Sequence, residues 1–110
     1  MRRVYYSSGS VLTDDAIAQA VLEYAEALTK DGRADIVEVP VVLNSGNQGT
    51  ATLLIGPSSQ LASVTEESEL TPPRSDDLVE EIRRRTRRLG GPHPSTSQYA
   101  DFLSSNEDYE

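Results

Sequence analysis

Few side chains in these 110 residues are of a type and spacing that could do chemistry. His93 is the one histidine, and it stands between Pro92 and Pro94, in a breaker rather than on a structured face, where a general base cannot be held against its substrate. That placement sets aside Ser-His-Asp triads and histidine metal sites, and the absence of cysteine excludes thiolate nucleophiles, disulfides and thiolate zinc sites together. The adjacent carboxylates Asp14/Asp15 and Asp76/Asp77 are the nearest thing to a magnesium-ligating pair. Neighbouring helix positions diverge by about a hundred degrees, however, and both pairs fall where a helix N-terminus favours negative charge. The run Gly46-Asn47-Gln48-Gly49-Thr50 lacks the lysine and the following helix of a phosphate loop and reads as a hairpin turn. Ser7, Ser8, Ser10, Ser58 and Ser59 have no base in view and no Gly-x-Ser-x-Gly elbow around them, so they read as turn residues. No cofactor and no catalytic residue is expected.

Two segments remain that could recognise something. Arg83, Arg84, Arg85, Arg87 and Arg88 are five of the ten basic residues and lie on about two turns of helix, where guanidinium groups could grip phosphates or an acidic partner. Glu80 and Glu81 partly neutralise the run at i,i+4 spacing. In the C-terminal stretch, Tyr99, Phe102 and Leu103 recur at i, i+3, i+4 among Asp101, Glu107 and Asp108, the pattern of a segment that becomes helical in a partner's groove. The formal net charge of −8 works against binding nucleic acid and anionic membranes. No apolar run approaches the ~20 residues of a membrane helix, and no apolar core follows Arg2 and Arg3 as in a secretory leader, which makes the cytoplasm the expected compartment.

The elements that would position these residues form an α+β domain in a β-α-β-β-β-α order. Arg3 to Ser8 reads as a first strand stopped by Ser8-Gly9-Ser10. Thr13 then caps a helix, with Leu12 clipped over Ile17, and Ile17, Val21, Tyr24 and Leu28 line one face up to Lys30-Asp31-Gly32. Asp35 to Leu43 is a strand with Val37, Val39, Val41 and Leu43 on one face and Ile36, Glu38, Pro40 and Val42 on the other; Pro40 places it at an edge or at a bulge. Thr50 to Ile55 and Gln60 to Thr65 are two more strands. Residues 66–74 read as a linker, and residues 75–89 as a peripheral second helix with Leu78, Val79, Ile82 and Leu89 as its seam. Residues 1–90 thus make one domain with a small, mostly antiparallel sheet, and 91–110 a disordered acidic tail.

The Tyr5-Tyr6 strand, the Thr13-Asp14-Asp15 helix start, the Lys30-Asp31-Gly32-Arg33 helix end and the Gly56-Pro57-Ser58 turn resemble a family of uncharacterised small proteins from high-GC Gram-positive bacteria. The resemblance spans roughly residues 1 to 90, and some family members carry an automatic label of ATP-dependent DNA ligase. Such a ligase needs its lysine nucleophile in Lys-x-Asp-Gly-x-Arg, whereas Lys30-Asp31-Gly32-Arg33 lacks both spacers and closes a helix. The expected function is a noncatalytic protein-interaction module with a protein partner, and a homodimer through the sheet edge or open sheet face is one form it could take. The alternatives are a regulator that contacts nucleic acid through Arg83–Arg88 and an acidic DNA mimic that blocks a DNA-binding protein.

Overall fold

The computed structural model describes residues 1–90; the expectations for His93, Tyr99, Phe102, Leu103 and the acidic tail lie outside the described residues. The fold is α+β, as the pattern of apolar positions predicts. Two strands, β1 (Arg2–Tyr6) and β2 (Gly9–Thr13), precede helix α1 (Asp15–Asp31). Strands β3 (Asp35–Val42), β4 (Gln48–Ile55) and β5 (Ala62–Thr65) follow, and helix α2 (Asp76–Arg88) comes last. The five strands form one antiparallel sheet in the order β4-β3-β2-β1-β5.

The opening of the chain holds one more strand than its sequence suggests. Ser7 and Ser8 form a two-residue turn between the paired Tyr6 and Gly9, so Gly9 and Ser10 begin a second strand instead of ending the first. Thr13 is consequently the end of β2 and not a helix cap. Its buried hydroxyl donates to the Pro40 carbonyl at 2.7 Å, and the cap is Asp14, whose carboxylate accepts from the Ala16 amide at 3.0 Å. Leu12 pairs with Val42, and alternation puts both on the face opposite Val41, so Leu12 cannot clip over Ile17 on the helix side.

Alternation along β3 sends Val37, Val39 and Val41 to one face, where Ile17, Val21, Tyr24 and Leu28 of α1 meet them. Helix α1 stops at Gly32, whose φ of 68° is the left-handed conformation a side chain disfavours, with the Gly32 and Arg33 amides closing onto the last carbonyls. Helix α2 is no peripheral appendage. Val79 and Ile82 enter the same core, Thr86 is buried and returns its hydroxyl to the Ile82 carbonyl at 2.9 Å, and α2 packs beside α1 on the same side of the sheet. Three buried positions in thirteen residues suffice because α1 and the sheet form two walls of the slot.

Pro40 is accommodated without an outer edge. Its strand lies inside the sheet, between β4 and β2, but the β2 ladder reaches only the Leu12–Val42 pair. The Pro40 carbonyl points to that side, where it meets Thr13, and the nitrogen that lacks a proton points there too, beyond the last ladder bond.

The opposite face of the sheet is covered only in part. The Arg3 guanidinium holds Glu66 by two hydrogen bonds of 2.7 and 2.8 Å and Ser10 by a third of 3.1 Å, which fixes the start of the 66–74 segment beside β1 and β2. Farther on, Leu70 lies within 3.9 Å of where a Cβ on Gly46 would stand, at the tip of the β3–β4 hairpin. That path passes Leu12 and Val42, both buried, and leaves the far ends of β3 and β4 bare.

Candidate functional site

Three surfaces carry the residues that a function could use. The first is a polar junction where α1, β3 and α2 meet. The Tyr24 hydroxyl, on the apolar stripe of α1, donates to Asp35 Oδ2 at 2.5 Å; Arg85 Nη1 of α2 donates to the same oxygen at 3.2 Å, and the Ile36 amide holds Oδ1 at 2.8 Å. Arg85 Nε is also bonded to Glu81 at 2.9 Å, and Arg84 pairs with Glu81 from the turn above. Burial, and then the Asp35 carboxylate, push the Tyr24 phenol up to about 12. The hydrogen bond from Tyr24 holds Asp35 below the usual carboxylate range against the opposing effect of burial, and Arg85 adds to it. A phenol so reluctant to ionise and a carboxylate so reluctant to protonate are poorly matched to proton transfer at neutral pH. Each is satisfied by the other, and the junction locks two helices onto one strand.

A shallow hollow of about 390 Å³ opens beside this junction, with Arg33, Arg85 and Arg88 around it. Arg33 is paired with Asp31 at 2.7 Å, so its charge is already met. The rest of the arginine run spreads over the outer surface of α2. At a hundred degrees per residue, Arg83 and Arg85 flank the buried Val79–Ile82–Thr86 face, while Arg84, Arg87 and Arg88 fan out between them with Glu80 and Glu81 interspersed. Arg84 and Arg85 are ion-paired; Arg83, Arg87 and Arg88 make no ion pair among the described residues. The run is therefore a wrapped, partly neutralised helix surface and does not form one flat basic patch.

The acidic pairs are accounted for by the helix ends. Asp14 is the cap, Asp15 lies 3.5 Å from the chain's α-amino group, and Asp76 and Asp77 occupy the first turn of α2 behind the Ser75 cap. Among the described residues no three His, Cys, Asp or Glu side chains gather as a metal would require. Lys30 is exposed and pairs with Glu26 at 3.4 Å. No helix among the described residues is long and apolar enough to cross a membrane.

The second surface is the bare end of the sheet. Ile36 and Leu54 face each other across β3 and β4, on the side away from the helices, and stand 57% and 69% exposed. The third is a groove of about 1160 Å³ bordered by Tyr5, Tyr6, Thr52, Leu54, Ser59 and Leu61, running between the end of β4 and the β1–β2 hairpin. Alternation predicts the second surface, since Ile36 and Leu54 occupy the positions opposite the apolar face. The groove escapes that reading because it is made by separate segments. Comparison with protein-family models, with curated proteins and with solved structures finds no match to this chain.

Proposed function

We propose that the chain is a noncatalytic protein-interaction module that binds a protein partner through the uncovered face of its sheet, with the arginines of α2 as a separate contact surface on the opposite side of the molecule. The observation that carries this reading is the Ile36–Leu54 pair. Two large apolar side chains held side by side on a rigid two-stranded base, with both helices spent on the other face, lose little conformational freedom when a partner covers them. The polar groups support the same reading. Tyr24, Asp35, Glu81, Arg85 and Thr13 are engaged within the fold, which leaves recognition, rather than bond-breaking, to the surface. Interspersed glutamates make α2 a poor match to a phosphate backbone and a better one to a protein surface of mixed charge. The cytoplasm is the compartment we assign, from the cysteine-free composition.

The test is affinity capture from the native cell with three forms: the full chain, its Leu54→Asp variant, and a chain ending at Pro94. A specific protein retained by the full chain and lost with Leu54→Asp is the expected result, and loss with the shortened chain would add Tyr99, Phe102 and Leu103 to the contact. Equal retention by the full chain and Leu54→Asp, or nothing retained by either, removes the support for the sheet face.

A further inference from the structure

From Val39 to Thr65 the chain carries no charged residue, although a quarter of all its residues are charged and the net charge is −8. Folding brings the end of β4 and residues 57–62 of that run around one groove, although β4 and β5 occupy opposite edges of the sheet. The run supplies the second half of β3, the tip of the β3–β4 hairpin, all of β4 and β5, and much of the groove, whose remaining border, Tyr5 to Ser8, is uncharged as well.

Within this run β4 is an edge strand of eight residues with none of the features that usually guard an edge: no lysine, no proline, no inward charge. The register shows which of its backbone groups are open. The Pro40 carbonyl points toward β2, so the Pro40–Thr50 pair exchanges no ladder bonds, and the amide and carbonyl of Thr50 point out of the sheet. The Leu43 amide, by contrast, bonds the Asn47 carbonyl, the same alternation read from the hairpin end. Gln48, Thr50, Thr52 and Leu54 therefore direct their backbone groups outward. Among the described residues only the Leu54 carbonyl meets a side chain there, through a long 3.4 Å contact from the Ser59 hydroxyl.

We infer that the occupant of this edge is the β4 strand of a second copy, laid antiparallel about a twofold axis near Ala51, so that Thr50 of each copy faces Thr52 of the other. The inference rests on the reading of the chain as a protein-binding module and names one partner for it. Charge selects that partner. Across a twofold axis every residue near the centre meets its own kind, so two molecules of net charge −8 avoid apposed carboxylates where their surfaces carry no charge; β4 with its groove is such a surface, and the nearest carboxylate, Glu38 opposite Thr52, stands one strand farther from the axis in each copy. A charged partner would gain nothing from it. The axis near Ala51 is also the register that pairs all four outward-facing residues, Gln48 with Leu54 and Thr50 with Thr52, and it directs the uncharged hairpin tip of one copy toward the uncharged groove of the other.

Sedimentation equilibrium of the full chain, alone and as the Thr52→Pro and Thr50→Glu variants, tests this. The outward Thr52 amide takes no part in the β3 ladder, so proline removes only the bond between copies; glutamate at position 50, opposite the uncharged Pro40 of its own copy, leaves the backbone intact and sets two carboxylates near the axis, each beside Thr52 of the other copy. A single strand edge is a small interface, and a dissociation constant on the order of 10 μM is expected for the unaltered chain. Its mass should approach twice 12.0 kDa at high concentration, and both variants should weaken the dimer at least tenfold while keeping the native circular-dichroism spectrum. Should Thr52→Pro fail to fold, Thr50→Glu decides. A mass of 12.0 kDa at ~100 μM, or a dimer undiminished in the folded variants, overturns the inference. A monomeric chain that still captures a protein through Leu54 overturns the edge pairing alone.

Discussion

Replacing Tyr24 with phenylalanine removes one oxygen atom and leaves the buried ring, so its cost isolates the bond to Asp35. Hydrogen bonds to a charged group contribute about 1.5–3 kcal/mol. Asp35 keeps the Ile36 amide and Arg85, and its side chain is 38% exposed, so water can replace part of what is lost and the lower end applies, ~1.5 kcal/mol. For a domain of this size that is a fall in Tm of about 6–12 °C, measured by circular dichroism at pH 7. The pH dependence supplies a second signature. Because the Tyr24 phenol is pushed up to about 12 in the folded chain, its stabilisation is fully present below pH 10 and disappears as pH rises toward about 12. The gap between the unaltered chain and Tyr24→Phe should accordingly close over that window. A gap under ~0.5 kcal/mol at pH 7, or one that stays constant from pH 8 to 12, would show that the Tyr24–Asp35 bond does not stabilise the fold.

Three other outcomes follow from the same contacts. Thr13→Val keeps the shape and orphans the Pro40 carbonyl inside the fold, which should cost about 1–3 kcal/mol in urea denaturation with an unchanged slope. Asp35, Glu66 and Glu81 are all held below their ordinary carboxylate values by Tyr24 or an arginine, so their contribution is present above those values and is lost as pH falls; Tm should drop most steeply below about pH 4.5. If α2 is a protein-facing surface, the unaltered chain should bind duplex DNA no better at low salt than a variant with Arg84, Arg85 and Arg88 all changed to glutamate, and steeply salt-dependent binding lost in that variant would restore the nucleic-acid reading.

Some of this was legible in the residues and some was not, for identifiable reasons. Helix α1 announces itself because Ile17, Val21, Tyr24 and Leu28 keep one face and Gly32 ends it, and the bare Ile36–Leu54 side follows from alternation along β3. The β1–β2 hairpin hides because Ser7-Ser8 is not a strong turn signal, while Ser-Gly-Ser reads as a stop and Thr13 reads as a cap. Thr86 carries a hydroxyl and so reads as solvated; buried against α1 it returns that hydroxyl to its own helix, and the depth of α2 in the core goes with it. The Tyr24–Asp35–Arg85 junction draws one residue from each of three elements and has no linear motif. Its single foretaste is a tyrosine on an apolar stripe, whose hydroxyl needs a partner. The arginine run is visible at once in the sequence, but its spread around the helix, with Arg85 turned inward to Asp35, depends on where α2 packs.

Protein binding is expected at the bare sheet face, where Ile36 and Leu54 stand exposed. A photo-crosslinking amino acid installed at Leu54, beside one at exposed Glu80 on α2, measures this in the living cell. Irradiation should give a discrete protein adduct from position 54, in excess of any from position 80. No adduct at 54, or the same diffuse pattern from both positions, would contradict it.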